Sequence, residues 1–343
     1  MNLISGGSGA FDDPALVVVA FVLDRLLGDP RQCLHPVQVM GWVIQRLRGL
    51  CEAWAADIPW RLRLSGGLLA AWVVLGAAGS GWLVEWWARD RPLLGTLPLL
   101  VGLASALAGG SLERAVDGVL RALPDLAQAR ARLAWIVGRE VEGLPEEEIL
   151  RAAAETTAEN AVDGLFAPLF WIMAGVLLHG LQSGAPGPLA LAWAFKASST
   201  LDSMLGYRHG RLRWLGTAGA RLDDALTWLP ARLVALTLPL VTRRPWQVWR
   251  LFRRALRDGA ADPSPNAGVS QAAYAHAVGV RLGGRNRYAD GWRSKPVLAA
   301  SCPAADQQAV RRMLRLTVRL QLLWLVLFGI GCWFGQADAA QVS

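Results

Sequence analysis

The sequence predicts an all-α, polytopic integral membrane protein with cytoplasmic helical insertions. Three observations carry that expectation. The 343-residue chain is 53% hydrophobic and 18% charged, with mean hydropathy +0.30, too apolar for an ordinary soluble enzyme and too charged for a bundle of spans alone. Apolar runs of nearly spanning length recur along it. The polar stretches between them keep helical periodicity, and no sustained alternation bounded by hairpin signals appears.

Taken in order, the apolar stretch Pro14 to Leu23 is too short to span comfortably and runs into Asp24 and Arg25, so a re-entrant or interfacial segment is expected. Span candidates follow at 64–84, 92–110 and 165–181, then near 187–206 interrupted by Lys196, near 225–241 interrupted by Arg232, and in the terminal "LQLLWLVLFGIGCWF". Between them, "SLERAVDGVLRAL" places Leu112, Val116, Val119, Leu120 and Leu123 on one side of a helix that Pro124 ends. A second helix, "LAQARARLAWIVGRE", leads to "VEGLPEEE", where Pro145 followed by Glu146, Glu147 and Glu148 makes a good helix start. Without internal repeat or low-complexity linker, residues 1–343 read as one domain with polar insertions at about 111–160 and 242–319.

The net charge of +8 invites a nucleic-acid partner, but its location argues against one. Arg243, Arg244, Arg250, Arg253, Arg254 and Arg257 follow directly on a hydrophobic segment, and Arg311, Arg312, Arg315 and Arg319 precede the last one. That is the positive-inside pattern, which places 242–319 in the cytoplasm of a multi-pass cell (inner) membrane protein in contact with lipid. The tryptophans cluster at span ends, where interfacial belts explain them without nucleic acid. Asp12 and Asp13 stand where a cleavable signal would be basic. Cys33, Cys51, Cys302 and Cys332 lack CxxC or Cys/His spacing, so neither zinc nor a disulfide framework is expected.

The stretch "RAAAETTAENAVDGLFAPLFW", residues 151–171, sets acids against an apolar and aromatic run. On a helix, Arg151, Glu155, Glu159 and Asp163 fall four residues apart and share a face. Three acids at that spacing repel unless something cationic lies across from them. A bound metal would suffice, and a solvated face ahead of a membrane segment is the plain alternative. Other polar clusters edge the apolar segments. "DRLLGDPRQCLHPVQVMGW" holds Asp24, Arg25, Asp29 and His35, with Gly28, Asp29 and Pro30 explained by turn chemistry. "IVGRE" holds Arg139 and Glu140. "AFKASSTLDSMLGYR" puts Lys196 inside an apolar segment with Asp202 near its end, in a chain that has only two lysines against thirty-three arginines. "GTAGARLDDALTWLPARL" brings Arg221, Asp223, Asp224 and Arg232. In "DPSPNAGVSQAAYAHAVGVRLGGRNRY", Asn266 is the expected N-cap of a helix that stops at Gly283 and Gly284, with Arg281, Arg285 and Arg287 suited to phosphate or carboxylate.

Acids suited to Mg²⁺, cations suited to phosphates and a lipid-side location together point to phosphoryl or acyl-phosphate chemistry at the membrane surface. No Walker A, GxGxxG, GxSxG or HExxH sequence is present.

At these same residues the chain resembles the adenosylcobinamide-phosphate synthase family of cobalamin biosynthesis, also called cobinamide synthase. The matching blocks are "DRLLGDP" with "HPVQVMG", "VGRE", "ETTAENAVDGLFAPLFW", "KASSTLDSMLGY", "GTAGARLDD" with "PAR", and "SPNAGVSQAAYAHAVGVRLGG", in order from residue 24 to about 288. The resemblance implies a membrane enzyme that joins adenosylcobyric acid to (R)-1-amino-2-propanol or its O-phosphate as an amide, consuming ATP with Mg²⁺ and giving adenosylcobinamide or its phosphate. On that basis Glu155, Glu159 and Asp163 are expected to hold Mg²⁺ and the nucleotide phosphates, supported by Asp202, Asp223 or Asp224. Lys196, Arg139 and Arg221 are expected to stabilise the transferred phosphoryl group, Asn160 to orient a substrate amide or carboxylate, and Arg232 and Asn266 to complete the substrate-binding set. The rival from another class is a transporter or carrier of a corrinoid or other anion, since intramembrane charges also mark transport paths. Other cobalamin-pathway enzymes as partners, and the oligomeric state, stay open.

Overall fold

The computed structural model describes residues 14–28, 35–182, 184–288 and 291–342. Asp12, Asp13, Asp29, Pro30, Cys33, Ala289 and Asp290 lie outside the described residues. In chain order the first helices are α1 (Pro14–Leu27), α2 (Pro36–Ala55), α3 (Pro59–Asp90) and α4 (Pro92–Ala106). They are followed by α5 (Gly109–Ala122), α6 (Leu126–Leu133) and α7 (Glu146–Ala161), the last passing through a π-helical turn, Val162–Phe166, into α8 (Ala167–Leu181). Then come α9 (Pro188–Leu205), α10 (Leu212–Leu215), α11 (Thr217–Thr237), α12 (Val248–Gly259) and α13 (Ala267–Val278). Strands β1 (Leu282–Tyr288) and β2 (Gly291–Leu298) precede the final helix α14 (Gln307–Val342). Proline opens α2, α3, α4 and α9, where its missing N–H costs nothing and its fixed φ suits the first turn.

Four segments are long and apolar enough to cross a membrane: Pro59–Asp90, Glu146–Leu181, Thr217–Val241 and Gln307–Gly335. A fifth arises if Pro92–Ala106 and Gly109–Ala122, bent by 42°, form one broken span. Together they make a multi-pass membrane protein, as expected. The segment near 187–206 is the exception: it forms α9 but is not among these spans, because Lys196 and Asp202 break its apolar run.

The described chain groups into two compact units interleaved in sequence. The first comprises residues up to Ala108, Ala167–Leu226 and the chain from Leu325. Here α3 is central, packing against α2, α4, α9 and α10. Leu69, Val73, Leu201, Leu205 and Leu215 fill its interior. The opposite side of α3 leaves Leu64, Leu68, Trp72, Leu75, Leu83 and Trp86 exposed, an apolar stripe that hydrocarbon solvates and water does not. Glu85, fully buried on α3, accepts from the N–H groups of Gly187 (3.0 Å), Leu189 (2.6 Å) and Ala190 (3.1 Å). Its carboxylate thus closes the donor end of α9, whose first N–H groups have no partner within the helix.

The second unit comprises Gly109–Phe166 and Thr227–Trp324, and so contains both expected polar insertions. In α5 the expected stripe is present, with Val116, Val119 and Leu120 buried, and α5, α6 and α7 pack on one another. Helix α6 is shorter than the sequence suggests: Asp125 caps it, accepting from Ala127 and Gln128, and it ends at Leu133. On the other side α7 meets α13, whose Tyr274 is fully buried and hydrogen bonds Thr317 at 2.6 Å. Pairing of β1 with β2 is antiparallel, a two-stranded hairpin in an otherwise helical chain that the sequence does not announce. The strands read "LGGRNRY" and "GWRSKPVL", where arginines and glycines replace the apolar alternation that announces a hairpin. Helix α13 also ends earlier than expected, at Gly279 in the left-handed conformation rather than at Gly283 and Gly284.

Two outcomes follow from this packing. Replacing Glu85 by alanine strands three buried donors and is expected to cost about 2–3 kcal/mol, read as a lower apparent melting temperature in detergent; an unchanged melt would exclude the capping role. Asp258 accepts from His276 Nε2 (2.8 Å) and Arg257 Nε (3.2 Å). Burial pushes its carboxyl up, but His276, Arg257 and the Ala299 N–H together hold it below the usual aspartate value. A depressed carboxylate stabilises the fold above its unfolded value and loses that contribution as pH falls through its folded value. Asp258→Asn should therefore lower the melting temperature at neutral pH, with the gap to the native protein closing in acid; a gap independent of pH would contradict it.

Candidate functional site

The acidic stripe does start where the sequence places it, at the helix following Pro145. What lies across from it is protein. Glu155 is 1% exposed, and both of its oxygens are taken. Its Oε1 accepts from Arg151 Nη1 (2.9 Å) and from the Gly283 N–H (2.8 Å), while Oε2 pairs with Arg139 Nη2. Arg139 also donates to Asn286 Oδ1 at 2.7 Å. Arg151 reaches further, to Gly283 O (2.9 Å), Arg285 O (3.1 Å), Asn286 Oδ1 (2.9 Å) and Glu148. The network clamps β1 onto α7.

Gly283 makes the clamp possible. The register shifts between Leu282 and Gly284, a β-bulge that frees the Gly283 N–H from the ladder. At φ +84, with a Cβ there meeting Pro296 O at 1.9 Å, only glycine fits.

The expectation that Glu155, Glu159 and Asp163 hold Mg²⁺ meets this geometry at Glu155, whose oxygens are engaged by protein groups. Glu155 is committed to two guanidiniums and an amide. The π turn that begins at Val162 carries more residues per turn than an α-helix and interrupts the four-residue register before Asp163. Among the described residues no group of three or more His, Cys, Asp or Glu side chains is placed to hold a metal ion. Arg139, likewise, is bound to Glu155 and Asn286.

Beyond the clamp lies a second polar group. Glu159 Oε2 accepts from Gln271 Nε2 on α13 at 2.7 Å. Lys295 on β2 stands opposite Gly284 in the hairpin ladder, with Nζ 3.9 Å from Asp262 Oδ2. Burial opposes its charge, but the carboxylates of Glu159 and Asp262 outweigh it and hold Lys295 above the usual lysine value, so it is an ammonium at neutral pH. Two buried atoms in this unit have no partner, Gln271 Oε1 and Asn286 Nδ2, on side chains 1% and 2% exposed. Asn160 is exposed and donates its amide to Thr156 O (3.0 Å) and Oγ1 (2.9 Å).

Sequence reasoning missed Lys295, Gln271 and Asn286 as site residues. A signal existed for the first, as one of the chain's two lysines. The other two depend on the hairpin and on the α7–α13 contact, which no local pattern announces.

Arg232 and Asn266 are brought together in the same unit. Arg232 Nη1 donates to Asn266 Oδ1 (2.7 Å), Nη2 donates to Pro265 O (3.0 Å), and the guanidinium lies 4.5 Å from the Trp228 ring centroid. Asn266 occupies the N-cap position of α13 without capping it; Ser264 Oγ accepts from Ala267 N (3.2 Å) instead. Arg287 pairs with Glu140 at 2.7 Å, and Arg285 lies over Trp292.

The other expected residues lie in the first unit. Gly216 lets α11 start against the end of α9, since a Cβ there would stand 1.9 Å from Leu205 O. Asp223 on α11 consequently feels the charges of Asp202 and Lys196 on α9 and of Asp224 beside it. Its Oδ1 is buried without a hydrogen-bond partner. Arg221 is exposed.

Known proteins are similar to this chain over most of its length. Residues 17–317 match the family described as CobD/Cbib protein. Cobalamin biosynthesis protein CobD of Synechocystis sp. is 40% identical over 312 residues, covering 90% of this chain and 88% of its own. The protein of the same description from Pelobacter propionicus is 40% identical over 322 residues, covering 92% and 94%. Cobalamin biosynthesis protein CbiB of Salmonella arizonae is 37% identical over 324 residues, covering 92% and 96%. No solved structure matches. With a family match over most of its length and relatives of this identity spanning nearly all of it, the chain belongs to the CobD/CbiB family of cobalamin biosynthesis proteins.

Proposed function

We propose that the protein is an ATP-dependent amide-forming synthase that joins adenosylcobyric acid to (R)-1-amino-2-propanol or its O-phosphate, in the cell membrane, with its polar parts on the cytoplasmic side. The observation that carries the reading is the pair of buried, unpartnered amide atoms, Gln271 Oε1 and Asn286 Nδ2, in the unit that also holds the Glu159, Lys295 and Asp262 charges. Buried polar atoms are normally satisfied, and a substrate carrying amide, carboxylate or hydroxyl groups supplies what they lack. Membership in a cobalamin biosynthesis family supports the corrinoid as one substrate.

The chemistry assigns roles to these side chains. A carboxylate accepts an amine only after one of its oxygens has become a leaving group, here by transfer of the γ-phosphoryl of ATP to give an acyl phosphate and ADP. The amine nitrogen then attacks the carbonyl carbon, the C–O bond to phosphate breaks, and the amine proton must leave. Lys295, an ammonium at neutral pH that lies 3.9 Å from Asp262 and is favoured by the charge of Glu159, is the cation suited to stabilise the oxyanion of the addition step. Glu159, fixed by Gln271, is the carboxylate suited to take the amine proton. Gln271 and Asn286 orient the substrate. Mg²⁺ would be held chiefly by the nucleotide phosphates and would neutralise their charge, while Glu155, engaged by Arg139, Arg151 and the Gly283 N–H, is not proposed as one of its ligands. Lys196, Asp202, Asp223 and Asp224 are proposed as a further polar patch for substrate.

The first test is detergent-purified protein incubated with adenosylcobyric acid, Mg-ATP and either amine, with mass analysis of the corrinoid and nucleotide. A corrinoid heavier by the amine less water, formed only with ATP, is the expected product and identifies the amine; an unchanged corrinoid would favour the carrier alternative. Lys295→Met and Glu159→Gln should each reduce turnover by about 10²–10³-fold with the protein still folded in the membrane, and near-normal turnover in either would remove that residue from the site. Glu155→Gln should act differently. Breaking a buried ion network costs about 3–5 kcal/mol, so its lost activity should track lost folded protein, with the Mg²⁺ dependence of the remaining activity unchanged. A stable variant with a raised Mg²⁺ requirement would restore the metal role.

A further inference from the structure

A cavity of about 560 Å³ in the second unit is lined by Arg243, Arg244, Arg312, Arg315 and Arg319, together with Gln247. No aspartate or glutamate lines it. Each guanidinium is exposed, and among the described residues none is paired with a carboxylate; Arg315 donates only to the Arg311 carbonyl, at 3.4 Å. His276 at the rim is already bonded to Asp258. Five unneutralised guanidiniums around one cavity repel each other, and an anion entering the cavity relieves that repulsion. Their forked donors suit phosphate oxygens in particular.

The depth of the cavity narrows the choice of anion. Arg243 and Arg244 follow the end of the Thr217–Val241 span, and Arg312, Arg315 and Arg319 occupy the first turns of Gln307–Gly335, before its apolar run. Polar ends of two spans therefore meet at the cavity, where headgroups lie. Trp246 and Trp249, 77% and 64% exposed on the adjoining segment, are the aromatic residues expected at that level. Val241, Leu251 and Leu316 add an apolar wall beside the arginines, suited to the glycerol and first methylenes of a lipid.

We propose that this cavity is a phosphate-binding site separate from the Glu159–Lys295 group, occupied by the phosphate of an anionic phospholipid. The full chain, purified in an uncharged detergent, is titrated with short-chain phosphatidylglycerol and separately with inorganic pyrophosphate, at constant ionic strength. The probes are compared on the native protein, on Arg312→Gln/Arg315→Gln/Arg319→Gln, and on Arg250→Gln/Arg253→Gln/Arg254→Gln, which removes the same charge from arginines that do not line the cavity. The cavity variant is expected to bind phosphatidylglycerol about tenfold more weakly or worse, and the control to stay within about twofold. Equal loss in both variants, or no loss in the cavity variant, would overturn the site. Cavity-dependent binding of pyrophosphate without the lipid would support a phosphate site but overturn the lipid as its occupant. Should the glutamine variant fail to fold, Arg312→Lys/Arg315→Lys/Arg319→Lys keeps the charge while losing the forked donors, and undiminished lipid affinity there would likewise count against the proposal.

Discussion

A carboxylate removed from water must be compensated on the spot, and in the second unit Glu155 is compensated by two arginines and one backbone amide. Desolvating such a group costs several kcal/mol, so the arrangement survives only with every oxygen satisfied. That requirement reaches outward. The Gly283 N–H is available because the strand bulges, the bulge exists because a glycine sits at positive φ, and Arg151 fixes the bulged strand by bonding Gly283 O, Arg285 O and Asn286. The register of the hairpin, and with it the position of Lys295 opposite Gly284, is thereby inherited from one buried ion network.

The first unit handles a buried acid differently. For Glu85, three backbone N–H groups at the start of α9 hold its oxygens. Both solutions hold a carboxylate rigidly with all its capacity used, which is the opposite of what a reacting group needs. Glu159, Gln271, Asn286 and Asp223 differ in that each lies in or beside a polar group with capacity left over, at Gln271 Oε1, Asn286 Nδ2 and Asp223 Oδ1. Saturated acids organise the protein, and unsaturated groups are where a ligand adds something.

Features that depend on neighbours in sequence were legible in advance. Four spans, the buried stripe of α5 and the start of α7 after Pro145 follow from local hydrophobic period and helix-start chemistry. The hairpin was not legible, because backbone bonds from Arg151 hold it where side-chain alternation normally would. The acidic stripe was visible as a problem without its solution. Arg151 sits one turn from Glu155, but Arg139 is separated from it by sixteen residues and the Gly283 amide by 128. Asn266 shows the same limit: its place before α13 is a local fact, while its bond to Arg232 belongs to the tertiary fold.

The near-absence of lysine becomes intelligible once these roles are separated. Arginine forks planar pairs of donors and stays charged in any environment, so it serves the static clamp at Glu155, the stacked contact with Trp228 and the open cavity at Arg312. Lysine offers a single compact charge on a flexible stem, with three donors that rotate to follow a changing partner. Both lysines of the chain are partly buried among carboxylates: Lys295 near Glu159 and Asp262, Lys196 near Asp223. In a chain that chooses arginine for nearly every other cation, the two positions where lysine is kept are, on the function proposed above, those whose partner would change during turnover, as a carboxylate would on becoming an acyl phosphate and then an amide.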